Sequence, residues 1–344
     1  MKHTTLNRIG FQFLALLLAF GIASLVLLAV GASPAQIYKD MFGSLGTKGK
    51  IADVLVSWAP LLLATAGLLI TFAAGLWNIG VEGQITFGAI GTTLVLRLLQ
   101  NSAMNAGFII ALSIFAGMLA GALWAALAGA LKTFGGVNEI FGGLGLNFVA
   151  TALTIYLVFG PWKRPGTGSM SGTQPFPEQF NLPLFEGLRL SPWALIVAVV
   201  GIVFVSFLLQ GTYFGLRLKA VGKNFRAAYL LGIPTWQYMM FSFLLCGALS
   251  GAAGALQVTA VYHRLIPSIS SGYGYLGLMV AMLVNYQAIA AIPVAFFFAA
   301  LNIGSIQLPI VHKLDSSFSG VLQGLLVLFI LLAEGARQRL TPKA

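Results

Sequence analysis

Three side chains that can recognise a polar solute lie close together in the stretch NIGVEGQ, residues 78–84. Asn78 and Gln84 can donate and accept hydrogen bonds, and the carboxylate of Glu82 can accept hydrogen bonds or carry a charge. Long apolar segments precede and follow this stretch. The chemistry available to Glu82 therefore depends on the solvent that surrounds those segments.

More amide side chains lie within or at the ends of apolar segments: Asn147, Asn285, Gln287, Asn302, Gln307 and Gln323. Taken singly, each is typical of a hydrogen bond between neighbouring membrane helices. Taken together, they suit a neutral hydroxylated solute, which needs hydrogen bonds but no counter-ion. Flat surfaces for a base or a sugar face are available at Trp77, Phe87, Phe141 and Phe148.

The sequence lacks the motifs of several enzyme classes. The nearest approach to a phosphate-binding loop, SLGTKGKI at residues 44–51, has Ser44 in place of the first glycine and Ile51 in place of Ser or Thr. The histidines lack the HExxH spacing, GxSxG does not occur, and Cys246 is the single cysteine. We therefore expect that the chain is not an enzyme, binds no metal or cofactor and hydrolyses no ATP.

The composition predicts a membrane protein. Hydrophobic residues make up 58% of the chain and charged residues only 8%, against about 25% charged residues in soluble domains. Unbroken apolar runs such as residues 11–30 favour helices over the alternating strands of a barrel. The net charge of +11 suits anionic headgroups at the membrane faces rather than nucleic acid. We predict an all-α polytopic membrane protein.

At roughly 20 residues per span, the sequence predicts about ten transmembrane helices in a single domain over residues 1–344. The spans lie near 11–31, 53–75, 84–100, 106–131, 138–160, 192–210, 236–261, 273–289, 291–310 and 319–335. The first segment is too long for a signal peptide, so we interpret it as a retained helix.

The density of basic residues predicts the orientation. Four bases fall within residues 217–226 and three within the last eight residues, which favours cytoplasmic N- and C-termini. Residues 211–235 are then a cytoplasmic loop, and the Pro-, Gly- and aromatic-rich residues 161–191 an external one.

Glycine pairs at four-residue spacing recur within the spans, at Gly117 and Gly121, Gly247 and Gly251, and Gly320 and Gly324. Such pairs let helix backbones approach closely in lipid. They indicate either packing within one bundle or the contact surface of a dimer.

The stretch GKNFRAAYLLGIPTW, residues 222–236, predicts a short helix near residues 225–231. Asn224 is a good N-cap, Gly232 can take the left-handed conformation that ends a helix, and Pro234 prevents continuation. Such a helix at the inner membrane face could dock onto a partner. The alternative is a solvated connector whose bases reach into the headgroups.

This stretch carries a resemblance to a known family. RAAYLLG, residues 226–232, resembles the EAA---G coupling loop of ABC importer permeases, with Arg226 in place of the usual Glu. LRLKAVGKNFRAAYLLGI, the following CGALSGAAGA, NIGVEGQ and GGVNEIFGGLGLNFVA (135–150) together are similar to the simple-sugar and nucleoside branch of the branched-chain-type permeases. The resemblance covers residues 54 to 335. Members of the family often have Pro where this chain has Phe225.

The resemblance implies a permease subunit of a bacterial importer for nucleosides or simple sugars, in the cytoplasmic (inner) membrane. It implies separate ATP-binding subunits, a second permease subunit that is usually a different chain, and an extracytoplasmic substrate-binding lipoprotein. The residues implied in coupling to the ATPase are Asn224, Phe225, Arg226, Ala227, Ala228, Leu231 and Gly232. The candidates for the substrate pathway are Trp77, Asn78, Glu82, Gln84, Phe87, Asn147 and Asn302.

Glu82 has three possible roles. Glycines disfavour a continuous helix through residues 78–83, which predicts a broken helix near 78–84. An ionised glutamate at the bilayer centre costs about 2.5–3.5 kcal/mol on insertion scales. It persists more easily when it faces water, a helix N-terminus or substrate hydroxyls. Glu82 could therefore line the pathway, hold the break together, or cap a turn at the interface.

A different class of transporter also places polar groups at broken helices. An ion- or proton-coupled secondary transporter would show inverted repeats and a relay of acidic residues. No convincing repeat is visible, and Glu82 and Glu139 are the acids that we place between the first and last spans, apart from the outer face. We therefore keep this class as the alternative.

Overall fold

The structure is a computed structural model that describes residues 17–43, 46–166, 172–284, 287–305 and 317–340. Within these ranges all regular structure is helical, which confirms the all-α prediction. The helices are α1 (Leu17–Ala29), α2 (Pro34–Gly43), α3 (Lys48–Ala73), α4 (Val81–Leu99), α5 (Ala106–Thr133), α6 (Glu139–Phe159), α7 (Pro192–Gly211), α8 (Tyr213–Lys223), α9 (Phe225–Leu230), α10 (Thr235–Leu256), α11 (Tyr273–Leu283), α12 (Ala291–Ser305) and α13 (Ser317–Leu340). A π-helical turn, Gln257–Tyr262, continues α10.

Five of the described helices are long and apolar enough to cross a membrane: α3, α5, α6, α7 and α10 with its π turn. The pair α1 and α2, bent by 119°, could supply a sixth span. Shorter apolar helices occur over Tyr273–Leu283, Ala288–Gly304 and Gly320–Ile330. The chain is a multi-pass membrane protein, and the count of ten spans stays a prediction.

The chain divides into two compact units. Residues 1–54 and 296–344 form the terminal unit, and residues 55–295 form the central unit. The described core of the terminal unit consists of Ala19, Ala23, Leu27, Ile37, Met41, Leu301, Phe318, Leu322 and Leu326. The prediction of one membrane domain over the whole chain stays a prediction.

Helices α4, α5 and α10 of the central unit pack through glycines. A Cβ atom on Gly88 would lie 2.6 Å from the carbonyl oxygen of Gly251, and one on Gly121 would lie 2.7 Å from the Cα atom of Gly251. Gly117 and Gly247 belong to the same contact. For these two glycine pairs, packing within one bundle is confirmed. By contrast, a Cβ atom on Gly320 or Gly324 would meet no described atom within 4 Å.

The predicted break is present, but the chain turns earlier than expected. Helix α3 ends at Ala73 and α4 begins at Val81, so Glu82 and Gln84 lie in the first turn of α4. Gly75 has φ +74°, and a Cβ atom there would lie 2.9 Å from the carbonyl oxygen of Gly222. A left-handed turn in close backbone contact requires glycine, which fixes the position of the break.

The two loops singled out in the sequence lie at opposite ends of the span Thr235–Tyr262. Helix α9 immediately precedes its start, while Phe176 and Leu182 donate backbone hydrogen bonds, each 2.9 Å, to the carbonyls of His263 and Thr259. The 28-residue span is about 42 Å long at 1.5 Å per residue. Residues 176–182 and 211–235 are therefore separated by a membrane-spanning length.

Two short helices are absent from the sequence interpretation. Helix α2 lies in the predicted connection 32–52, and α8 precedes α9 in the loop 211–235. The hydroxyl of Thr212 caps α8 by accepting a hydrogen bond from the amide of Gly215 at 3.1 Å. That N-cap is the signal that could have predicted α8.

The glycine contact between α5 and α10 yields a test. Replacing Gly251 with Val should destabilise the bundle by about 1–3 kcal/mol or more, because the side chain has to displace backbone atoms. Gly320→Val places the same side chain in open space and is the matched control. Melting temperatures of the purified proteins in one detergent compare the two. Equal melting temperatures would contradict the packing.

Candidate functional site

The carboxylate of Glu82 lies at the N-termini of two helices. Glu82 belongs to the first turn of α4, and α11 begins at Tyr273. Its Oε1 accepts a hydrogen bond from the amide of Gly272 at 3.1 Å, and its Oε2 accepts one from the amide of Gly274 at 2.7 Å. The positive ends of both helix dipoles are therefore directed at this one carboxyl group.

The loop that leads into α11 is shaped to receive this carboxylate. Ser271 and Gly272 both adopt positive φ, at 51° and 74°. The Ser271 hydroxyl lies 3.1 Å from the hydroxyl of Tyr262 and accepts a hydrogen bond from Gln257 at 3.4 Å. A Cβ atom on Gly274 would lie 2.8 Å from the backbone nitrogen of Glu82. The glycine at 274 thus allows the direct contact between α4 and the start of α11.

Asn78 and Gln84 form a buried amide pair across the break. The Asn78 Nδ2 donates to Gln84 Oε1 at 3.2 Å, and the Gln84 Nε2 donates to Asn78 Oδ1 at 3.0 Å. Asn78 also donates to the sulfur of Cys246 at 3.1 Å. Both amides are almost fully buried, at 1% and 0% exposure. Their hydrogen bonds stay within the protein and join the break to α10.

Asn147 of α6 satisfies the backbone of the break from the other side. Its Nδ2 donates to the carbonyl of Ile79 at 2.9 Å, and its Oδ1 accepts from the amide of Gly83 at 2.8 Å. The Tyr275 hydroxyl lies 3.5 Å from the same Nδ2. Tyr275 and Asn147 thus join the site from helices far apart in sequence. Sequence reasoning missed Tyr275, since nothing local to it marks a partner 128 residues away.

The start of α4 lies beside the middle of the long span rather than at its end. Gly254 packs against Ile85, and Gly251 packs against Gly88. Gly251 is the seventeenth of the 28 residues in Thr235–Tyr262. Glu82, one turn before Ile85, therefore lies well inside the apolar layer. These contacts support the interpretation in which the carboxylate holds a break together, and a role in the substrate pathway stays a prediction.

The aromatic candidates occupy different surroundings. Phe87 stacks on Trp124 with 4.1 Å between ring centroids, and the buried Nε1 of Trp124 has no hydrogen-bond partner among the described residues. Trp77 is 45% exposed and packs beside Phe72. Phe141 and Phe148 are mostly exposed on α6. Phe87 therefore stacks on Trp124, whose indole nitrogen lies beside Gly83, a neighbour of Asn147 in the polar cluster.

The structure describes three of the five other amides, Gln287, Asn302 and Gln323. Asn302 lies in the terminal unit, partly buried on α12, and Gln323 is buried on α13. Gln287 is exposed. Asn285 and Gln307 lie outside the described residues.

Glu139, the other acid within the spans, forms an ion pair. Its Oε2 lies 2.6 Å from the Nζ of Lys132, which joins the end of α5 to the start of α6. Both acids therefore have structural partners, Lys132 for Glu139 and two backbone amides for Glu82.

Helix α9 is a short, capped helix with an exposed apolar surface. The Asn224 side chain accepts a hydrogen bond from the amide of Ala227 at 3.0 Å. Gly232 has φ +78° and donates to the carbonyl of Tyr229 at 2.9 Å. The predicted caps are confirmed, and the helix ends at Leu230, with Leu231 as its C-cap. Ala228 is buried, whereas the exposed residues are Phe225, Arg226, Ala227, Tyr229, Leu230 and Leu231.

The residues just before α9 touch the break directly. Gly222, near the end of α8, packs against Ala73 and Gly75, and a Cβ atom on Gly222 would lie 2.8 Å from the nitrogen of Gly75. A cavity of about 380 Å³ beside this contact is lined by Phe72, Leu216 and Lys219, among others. No side chain separates the two backbones at this point.

Comparison with known proteins gives the family. The family model for the permease component of the branched-chain amino acid transport system matches residues 50–331. The chain belongs to this permease family. The match includes the break, the Glu82 cluster and α9. It therefore covers every candidate site residue.

Similar proteins come from several organisms. The glucose ABC transporter permease protein TsgB13 of Haloferax volcanii is 30% identical, over 94% of this chain and 87% of that protein. The guanosine ABC transporter permease protein NupP of Bacillus subtilis is 26% identical, over 94% and 93%. The nucleoside ABC transporter permease protein NupC of Lactococcus lactis is 29% identical, over 78% and 86%.

The amide pair across the break can be tested by a double-mutant cycle. Asn78→Leu or Gln84→Met alone leaves one buried amide without its partner, which should cost about 1–3 kcal/mol of unfolding free energy. The double variant should lose less unfolding free energy than the two single variants lose together. Denaturant unfolding in detergent measures the four proteins, and Gln287→Met at an exposed site is the control. Additive effects would show that the two amides do not interact.

Proposed function

We propose that the chain is the transmembrane subunit of a bacterial ABC importer that moves nucleosides or simple sugars into the cell. It would cross the cytoplasmic membrane about ten times, with both termini in the cytoplasm. The observation that carries the proposal is a capped, exposed helix, α9, at one end of a long span in a chain of this permease family.

The substrate class is proposed from two observations. The relatives are named for glucose, guanosine and nucleosides, which are neutral hydroxylated solutes. In this chain the polar cluster at the break contains amides, a hydroxyl and a single carboxylate whose two oxygens already accept backbone hydrogen bonds. A neutral solute needs hydrogen bonds without a counter-ion, which suits this set.

The proposed partners are ATP-binding subunits, an extracytoplasmic substrate-binding lipoprotein and a second permease subunit. Bacillus subtilis has two relatives named as guanosine permeases, NupP and NupQ, and Lactococcus lactis has two named as nucleoside permeases, NupB and NupC. Such pairs support a second permease that is a different chain. ATP would be hydrolysed by the partner subunits and not by this chain.

Helix α9 is the proposed docking element for the ATP-binding subunit. Phe225, Tyr229, Leu230 and Leu231 expose between 49% and 85% of their surfaces. Apolar side chains of this kind on a short rigid helix suit insertion into a cleft of a partner protein. The contact of Gly222 with Gly75 connects this element to the break. Docking at α9 would therefore act on the polar cluster through backbone contacts.

The alternative, an ion- or proton-coupled secondary transporter for a neutral polar solute, has less support. A proton relay needs acids that can exchange protons with water or with one another. Here Glu139 pairs with Lys132, and the Glu82 carboxylate accepts backbone hydrogen bonds from Gly272 and Gly274 and also contacts the Ser270 side chain. Uptake that persists without any ATP-binding subunit would favour this alternative.

The docking role of α9 is tested by Gly232→Val. A β-branched residue at φ +78° should cost of order 1 kcal/mol or more locally and disturb the end of the helix. Co-purification with the ATP-binding subunit and uptake should both fall, while membrane insertion persists. Gly187→Val is the matched control, because Gly187 also has a positive φ (+71°) and open space around it. Normal association of the Gly232 variant with the ATP-binding subunit would show that α9 is not part of the docking site.

A pathway role for Glu82 is tested by comparing Gln with Ala at this position. Charged hydrogen bonds contribute about 1.5–3 kcal/mol and neutral ones about 0.5–1.5. Glu82→Gln should therefore reduce solute uptake by roughly tenfold for each 1.4 kcal/mol lost. Glu82→Ala should reduce it further, because the amides of Gly272 and Gly274 lose their acceptor. Glu178→Gln, an exposed change of the same kind, is the control.

Uptake of labelled guanosine and of labelled glucose, normalised to folded protein in the membrane, measures the effect. If the Gln and Ala variants both transport at the wild-type rate, neither the charge nor the contact is needed. The solute that gives saturable uptake also decides between the two substrate classes.

A further inference from the structure

A groove between α8 and the start of α10 has the features of a binding site that the transport proposal does not use. Its volume is about 370 Å³. We call it the α8–α10 groove. It is lined by Phe214, Arg217, Pro234, Gln237, Tyr238 and Phe241.

Polar groups are held at one end of this groove. The Arg217 Nη1 donates to the Tyr238 hydroxyl at 3.5 Å. Phe214 stacks on the Tyr238 ring, with 5.2 Å between centroids and 28° between planes. The Arg217 guanidinium and the Gln237 amide both line the groove. Guanidinium and amide N–H groups together suit a phosphate oxygen.

Arg217 is the charged residue among those that line the groove. Lys219 and Lys223 line the cavity beside Gly75 instead, and the sequence has no Asp or Glu between Glu186 and Asp315. In the part of the chain that the structure describes, the ion pair joins Lys132 to Glu139 and does not involve Arg217. An anion entering the groove would therefore meet uncompensated positive charge.

The groove opens towards the lipid. Phe241 lies six residues after the start of α10, about 9 Å along the helix at 1.5 Å per residue, and 51% of it is exposed. Tyr213 and Trp236 flank the groove in sequence and are 82% and 50% exposed. Tyr and Trp are typical of the headgroup level of a membrane protein. This pattern suits a groove whose polar end lies at the level of the headgroups and whose Phe241 end lies beside the acyl chains.

We propose that the α8–α10 groove binds an anionic phospholipid. Arg217 and Gln237 would contact the headgroup phosphate, and Phe214 and Phe241 would contact the upper part of the acyl chains. Basic pockets between membrane helices bind such headgroups in other proteins. The proposal depends on the membrane location of the chain and not on its transport reaction or on the role of α9.

The test uses the purified full chain, delipidated in an uncharged detergent. Phosphatidylglycerol, phosphatidylcholine and inorganic phosphate are titrated separately, and binding is measured by native mass spectrometry and by the shift in melting temperature. Wild-type protein should bind phosphatidylglycerol saturably and at least about fivefold more tightly than phosphatidylcholine. Arg217→Gln should abolish that preference.

Lys219→Gln is the matched control, because it removes the same charge from the same helix but lines the cavity beside Gly75 instead. It should keep the preference for phosphatidylglycerol. An equal loss in both variants would show diffuse attraction to a basic surface and overturn the proposal. Inorganic phosphate that binds as tightly as the lipid would assign the groove to a soluble anion and also overturn it.

A second variant covers the case in which Arg217→Gln does not fold. Gln237→Glu keeps the side-chain shape and places a carboxylate at the polar end of the groove, so it should repel the headgroup. Its binding of phosphatidylcholine and its melting temperature without lipid should equal those of the wild type. Unchanged binding of phosphatidylglycerol in this variant would overturn the proposal.

Discussion

Backbone groups freed at the break between α3 and α4 need partners inside the protein, because lipid offers none. Asn147 supplies two of them, by donating to Ile79 and accepting from Gly83. Glu82 supplies acceptors to the amides of Gly272 and Gly274 at the start of α11. The break, Asn147 within α6 and the start of α11 are therefore held in one hydrogen-bonded cluster.

Close helix packing keeps this cluster in place. Glycines let α4, α5 and α10 meet backbone to backbone, so the first turn of α4 is fixed against the middle of a long span. Such contacts gain dispersion energy over many atoms without a hydrophobic drive, which is the situation of helices in lipid. The more exposed helices α6 and α7 carry large apolar side chains on their outer surfaces instead.

The sequence predicted the features that depend on neighbouring residues. The caps of α9 at Asn224 and Gly232 follow from local backbone preferences and were found where the pattern put them. The predicted interruption is also present, but it begins earlier than predicted, after Ala73. The partners of Glu82 could not be predicted in this way, because Gly272 and Gly274 are 190 and 192 residues away. The sequence analysis also did not identify Trp124. An aromatic residue in an apolar helix carries no local signal, and its stacking partner Phe87 is known only from the structure.

The contact between Gly75 and Gly222 has a mechanical consequence. The backbones of Gly75 and Gly222 touch directly. No side chain between them can change its rotamer or shift its packing to absorb a movement. A displacement of α8 cannot be absorbed at this point and has to be taken up as a movement of the chain that leads into the break. Because no side chain lies between them, the contact between Gly75 and Gly222 is rigid. The distance between the two backbones is set by their van der Waals radii.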